Sequence, residues 1–150
     1  MSNKIETLSG YIHEYQKSVQ QPEKFWDRIA DSFHWHQRWD KVLNWNFEEP
    51  KIEWFVNGKL NITENILERH LFIMGDRPAI IWEPNDPDED NRILTYRQLY
   101  EQVCQFANVL KEQGVQKGDR VIIYMPMVPE AAVAMLACAR VGAVHSVVFA

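Results

Sequence analysis

The nearest approach to a nucleotide-phosphate loop in this chain of 150 residues is Gly114-Val115-Gln116-Lys117-Gly118. Such a loop needs glycines that let backbone N–H groups approach the phosphates, with a lysine and hydroxyls close by. Here the ingredients stand in the wrong order and Gly118-Asp119-Arg120 leads into a strand, so the segment reads as a turn. His34 and His36 flank Trp35, but two histidines without a third ligand do not make a metal site. His70 falls at a helix end, where a contact with the dipole accounts for it. His145 and Ser146 lie inside a strand and read as sheet residues rather than a catalytic pair. The acidic run Glu83 to Asp90 is broken by Pro84 and Pro87 and has no glycine bend of the kind Ca²⁺ loops use. It reads as a solvated hairpin loop. Cys104 and Cys138 fall in helices without C-x-x-C spacing and are expected as buried, reduced thiols. Asn61-Ile62-Thr63 matches the glycosylation pattern, but no secretory signal precedes it. Motifs alone assign no active site, no catalytic residue and no metal ligand.

Ligands of open parallel sheets sit beyond the carboxyl ends of the strands, so the strands that offer such ends matter most. Lys117 to Ala150 reads as strand, helix, strand. Val121 to Met125 and Val144 to Phe149 are short runs rich in branched residues, as expected for fully buried parallel strands. Pro126 stops the first, and Pro129 suits the first position of the intervening helix. Glu130 and Arg140 complement the dipole of that helix at its two ends. Ala131 to Ala139 is apolar on every side, so the helix is expected to be buried all round, with Gly142 as its left-handed stop. The carboxyl ends are then Met125-Pro126 and Phe149-Ala150, and the loop expected to follow Ala150 is not in the chain.

Leu8, Tyr11, Ile12, Tyr15 and Val19 recur at helical spacing, and a second helix starts at Pro22 with Phe25, Trp26, Ile29 and Phe33 on its apolar side. The aromatic row Trp35, Trp39, Trp45 and Phe47 reads as core for an irregular segment rather than a ligand platform. Ile52 to Phe55 is expected as a strand, with a tight Asn57-Gly58 turn returning through Leu60 and Asn61. Thr63 is expected to cap a helix from Glu64 to Met74 that turns Ile66, Leu67, Leu71 and Phe72 inward and ends at Gly75. Ala79 to Trp82 and Ile93-Leu94 read as strands. Thr95 and Gln98 form a capping box for a helix to about Gln113, with Tyr96, Leu99, Val103, Phe106 and Leu110 as its stripe.

The fold class is therefore α/β: a helical, tryptophan-rich appendage over residues 1–60, then the start of a parallel βαβ sheet domain over residues 61–150, incomplete at its C-terminus. A formal charge of −5 with no basic cluster argues against nucleic acid as a partner. No apolar run approaches the roughly 20 residues a bilayer needs, so no membrane partner is expected and the location reads as cytoplasmic.

Several stretches together resemble the start of the AMP-forming acetyl-CoA synthetases, within the adenylate-forming acyl-CoA synthetase superfamily. The likeness runs through Pro22-Glu23-x-Phe25-Trp26, Trp54-Phe55-x-Asn57-Gly58-x-Leu60-Asn61, Ala79-Ile80-Ile81-Trp82-Glu83 and Leu94-Thr95-Tyr96. It is densest from Gly118-Asp119-Arg120-Val121 through Tyr124-Met125-Pro126-Met127 and Pro129-Glu130 to Gly142-Ala143-Val144-His145-Ser146-Val147-Val148-Phe149. The resemblance implies a reaction in two steps. Acetate attacks the α-phosphate of Mg·ATP, giving acetyl-AMP and pyrophosphate, and the CoA thiol then displaces AMP. It also implies that ATP, Mg and CoA are bound mainly by residues outside this chain, so that residues 1–150 are inactive alone and the remainder of the same polypeptide is the main partner. Within the chain it places Phe149 and Ala150 beside the CoA nucleotide, with Ala150 standing where many members have glycine. A propionyl- or other short-chain acyl-CoA synthetase is the alternative within the superfamily. A non-catalytic structural or CoA-binding module is the alternative outside it.

Overall fold

The computed structural model describes residues 5–149 and is a mixed α/β structure. It divides between Leu60 and Asn61 into two compact units.

In the first unit, helix α1 spans Leu8–Gln20 and is capped by Thr7, whose hydroxyl accepts the Gly10 N–H at 3.1 Å. Helix α2 spans Pro22–Ala30, with Pro22 in the first turn, where a missing N–H costs nothing. Glu14 ties the two helices through an ion pair with Arg28 at 2.5 Å. The apolar stripe of α1 has the expected spacing, yet Leu8, Tyr11, Ile12, Tyr15 and Val19 are all exposed.

Two strands follow, β1 (Lys41–Asn46) and β2 (Lys51–Val56), paired antiparallel with Leu43 opposite Trp54. This corrects the irregular segment expected after Trp39. The β2 partner is β1, not the stretch after Asn57-Gly58. A tight turn does form there, with Asn57 at φ 62° and the Gly58 N–H on the Phe55 carbonyl at 2.8 Å. What it returns is Lys59, which bridges to Gln37. The aromatic row divides likewise. Trp35, Trp39 and Phe55 cluster with centroids 4.8–5.4 Å apart, and both indole N–H groups are satisfied, by the Ala30 carbonyl and the Asp27 carboxylate. Trp45 and Phe47 are exposed instead. Phe55 sits at φ 49°, an unfavourable region for an aromatic residue, and its ring contacts with both tryptophans offset that strain.

In the second unit, the single helix expected over 64–74 is broken. Helix α3 covers Ile62–Ile66, a 3₁₀ turn covers Glu68–His70, and helix α4 covers Leu71–Met74. Asn61, not Thr63, is the cap, its side chain accepting the Thr63 N–H at 3.0 Å. The break at Leu67 (φ −110°, ψ −68°) seats that side chain fully in the core, and its burial outweighs an unbroken helical ladder. Phe72 is consequently 99% exposed, and Ile66 is exposed as well, against the expectation that both face inward. Strands β3 (Pro78–Trp82) and β4 (Arg92–Thr95) form an antiparallel hairpin around the acidic loop.

Helix α5 (Tyr96–Glu112) begins at the expected capping box. Thr95 Oγ1 accepts the Gln98 N–H at 3.2 Å, and Gln98 Oε1 accepts the Thr95 N–H at 2.9 Å. Its buried stripe is Leu99, Val103, Ala107 and Leu110, whereas Phe106 stays partly in solvent. Strand β5 (Arg120–Met125), helix α6 (Pro129–Val141) and strand β6 (Val144–Phe149) then form the parallel βαβ unit, with all six residue pairs from Arg120–Val144 to Met125–Phe149 in register.

The core lies between α5, α6 and the inner side of β5. Leu67, Val103, Ala137 and Cys138 there are wholly buried. Burial of Leu67 or Val103 contributes about 1.5–3 kcal/mol each. Two expectations need correction here. Helix α6 is buried along Ala131, Val133, Ala134, Ala137 and Cys138, but Ala132, Met135 and Leu136 are only half-buried. The strands are not fully buried either. Ile122 and Tyr124 are 73% and 70% exposed, and β6 is exposed from Val144 to Val148. Among the described residues the sheet has two strands and helices cover the inner side of β5, so alternate residues of β5 face water while β6 is open on both of its faces.

Candidate functional site

The carboxyl ends of β5 and β6 lie side by side, because Met125 and Phe149 are register partners of a parallel pair. Beyond β5 the chain must leave the sheet, since Pro126 has no N–H for the ladder. It turns through Pro126–Val128, with the Val128 N–H on the Pro126 carbonyl at 2.9 Å, and enters α6 at Pro129. Val128 is the N-cap and offers no side-chain cap. This bend is held instead by the neighbouring hairpin. Trp82, the last residue of β3, donates its indole N–H to the Met127 carbonyl at 2.7 Å. Arg92, the first residue of β4, reaches Glu130 in the first turn of α6 through two hydrogen bonds, the shorter at 2.5 Å. The same guanidinium lies 5.6 Å from the centroid of the Trp82 ring. The hydrogen bond from Arg92, followed by the backbone N–H of Glu130, holds the Glu130 carboxyl below its ordinary value. Glu130 thus does more than complement a dipole.

Of the two residues singled out beside this edge, Phe149 closes β6 and Ala150 lies outside the described residues. The other chemistry-bearing residues do not converge on it. Gly114 and Gly118 adopt φ 85° and 90°, and the turn between them is closed on itself, Asp119 Oδ2 accepting the Gln116 N–H at 2.7 Å. The Gly118 N–H is taken by the Gly142 carbonyl, so the turn offers a phosphate no cradle. His145 and Ser146 are consecutive strand residues on opposite faces of the sheet. His70 packs against Tyr96, with centroids 6.0 Å apart. The acidic loop closes on itself, Asp86 Oδ1 accepting the Asp88 N–H at 3.0 Å. Asn61 and Thr63 serve α3: Asn61 also donates to the Arg140 carbonyl at 3.0 Å, and Thr63 is wholly buried.

Cys138 is buried and its thiol is pushed up by that burial, as a structural cysteine should be. Cys104 is not: it is half-buried on a cleft of about 400 Å³ whose walls include Asn108, Lys111 and Arg140. Arg140, read from sequence only as a dipole complement, pairs with Glu68 at 2.6 Å and lies 5.4 Å from the centroid of Tyr100. Both long-range pairs, Arg92–Glu130 and Arg140–Glu68, join residues far apart in the chain. The sequence itself marks only the helix-end positions of Glu130 and Arg140.

A family model described as AMP-binding enzyme matches residues 67–150, and one described as acetyl-coenzyme A synthetase N-terminus matches residues 11–66. The acetyl-coenzyme A synthetase of Syntrophobacter fumaroxidans is 55% identical over 141 residues, covering 93% of this chain and 22% of that protein. That of Novosphingobium aromaticivorans is 56% identical over 150 residues, covering 99% and 23%. Among solved structures, the acetoacetyl-CoA synthetase from Streptomyces lividans superposes with a TM-score of 0.83 at 31% identity, over 93% of this chain and 21% of that one. The chain spans about a fifth of the length of the curated relatives it matches. No helix among the described residues is long and apolar enough to cross a membrane. The chain belongs to the AMP-binding enzyme family, in which it matches the N-terminal segment of the AMP-forming acetyl-CoA synthetases.

Proposed function

We propose that this chain works as the N-terminal part of an AMP-forming acetate–CoA ligase, which converts acetate, ATP and CoA into acetyl-CoA, AMP and pyrophosphate in the cytoplasm. The observation that carries the reading is the 55% identity to proteins named acetyl-coenzyme A synthetase over 93% of the chain. In it, residues 1–60 are an appendage and residues 61–150 are the first part of the large domain. Phe149 and Ala150 are its residues beside the CoA nucleotide, and Phe149 closes the strand edge where β5 and β6 end.

The Gly114–Gly118 turn does not fit the phosphates of ATP, because its glycine amides and the Asp119 carboxylate are already paired within the fold. In this reading ATP and Mg are held mainly by the remainder of the polypeptide. The part played by this chain is to fix one wall of the CoA site and to supply buried surface against which the rest folds.

The test is acetate-dependent ATP–pyrophosphate exchange and acetyl-CoA formation, measured on the polypeptide translated from the intact reading frame and on residues 1–150 alone. Activity is expected from the first and none from the second. A reading frame that stops after Ala150, or acetyl-AMP made by residues 1–150 alone, overturns the proposal. Relative rates on acetate and propionate decide between the two acyl substrates.

A further inference from the structure

The bend that leaves β5 carries no cap of its own, yet it lies directly beside the carboxyl edge where Met125 pairs with Phe149. This helix start has no side-chain cap, and the exposed Met127 before it buries little to hold the bend. Here two side chains from a different part of the chain grip it. The Trp82 indole holds the Met127 carbonyl at 2.7 Å, and Arg92 holds Glu130 in the first turn of α6. Arg92 also packs over the Trp82 ring, so the two grips brace one another. Trp82 and Arg92 are themselves register partners across the β3–β4 hairpin. The hairpin is thus an arm with both contacts at one end.

We propose that Trp82, Arg92 and Glu130 are positioning residues for the second half-reaction: they fix the Pro126–Val128 bend so that the edge at Phe149 presents a preformed wall to the CoA nucleotide. This rests on the function proposed above. The residues touch no reacting atom. They act by holding backbone whose displacement would misplace the nucleotide and the thiol it carries. Preformed sites of this kind lower the ordering cost of binding, so loss of the clamp is read in KM for CoA rather than in the adenylation step.

The test uses the intact polypeptide with Trp82→Phe, which deletes the indole donor but keeps a ring beneath Arg92, and Arg92→Ala, which deletes the other grip. KM for CoA is expected to rise about five- to ten-fold in each, with acetate-dependent ATP–pyrophosphate exchange within about two-fold of wild type. Amide hydrogen exchange supplies a readout independent of turnover. The Val128 and Ala131 amides are expected to exchange about ten-fold faster in Trp82→Phe, while those of α5 keep their protection. Unchanged exchange at Val128 and Ala131 overturns the clamp. Faster exchange with an unchanged KM for CoA overturns its positioning role, and so does an equal loss in both half-reactions. Wild-type polypeptide without CoA-dependent turnover instead overturns the function on which the role rests, and the exchange data still decide whether the clamp exists.

Discussion

Gly142 ends α6 at φ 85°, and a Cβ built on it would lie 3.0 Å from Lys117 Cγ. A flexible lysine can yield that space, so the backbone conformation decides the cost. Gly142→Val forces a branched residue into the left-handed region and should destabilise by about 1–2 kcal/mol, seen as a lower denaturant midpoint at an unchanged slope. Ala137 is the sharper probe, because its side chain is wholly buried among apolar neighbours. Ala137→Asp leaves a charge there without a partner and should cost roughly 3–5 kcal/mol, enough to abolish cooperative unfolding. The two thiols separate by the same logic of access. In native protein, a thiol reagent should label Cys104 quickly and leave Cys138 unmodified until denaturant is added, as mass spectrometry of the labelled peptides would record. Equal labelling of both would contradict the buried position of Cys138.

At the scale of the element, legibility followed the range of the interactions involved. The capping box of α5 was visible because Thr95 and Gln98 are three residues apart and satisfy each other locally. The βαβ unit was visible because Pro129, Gly142 and two branched runs punctuate it. Strand β1 was hidden: Lys41–Asn46 carries Asn44 and Asn46, poor strand formers, and is fixed by its register with β2, including Asn44 Nδ2 donating to Glu53 at 2.9 Å. The break at Leu67 was hidden because only the packed core selects it. The grip on α6 was hidden too, since nothing near Glu130 in the sequence points to Arg92. That grip has a signature in pH. The folded state holds the Glu130 carboxyl below its ordinary value of 4.5, so its stabilisation is complete above that value and is lost as pH falls through the lowered one. Glu14 and Glu53 are also lowered, chiefly by hydrogen bonds from Lys17 and Asn44, and act in the same window. The melting temperature should therefore drop as pH falls below the ordinary carboxyl value of 4.5, and Glu130→Gln should flatten part of that slope. Identical slopes for the two proteins would mean the Arg92 contact adds nothing to folding.

The whole molecule is marked by how much apolar surface it leaves open. On the outer face of the parallel pair, Ile122 and Tyr124 stand beside Val144 and Val148, all exposed, and among the described residues no further strand pairs with the β6 edge. Sheets of this parallel type are ordinarily covered on both faces. In the function proposed above, the remainder of a longer polypeptide supplies that cover, which gives a comparison with opposite outcomes in two contexts. Ile122→Lys in residues 1–150 replaces an exposed isoleucine and should change stability by no more than about 0.5 kcal/mol, while reducing self-association through the open face. In the intact polypeptide the same lysine would be driven into an apolar interface without a partner, and several kcal/mol should be lost from the melting transition. Light scattering of the short chain and thermal denaturation of both would read the two effects. If the lysine is harmless in both, the outer face of β5 stays in water throughout, and these residues cannot be the inner strands of a larger sheet. The charge therefore tests where the missing layer sits without requiring any knowledge of the residues that form it.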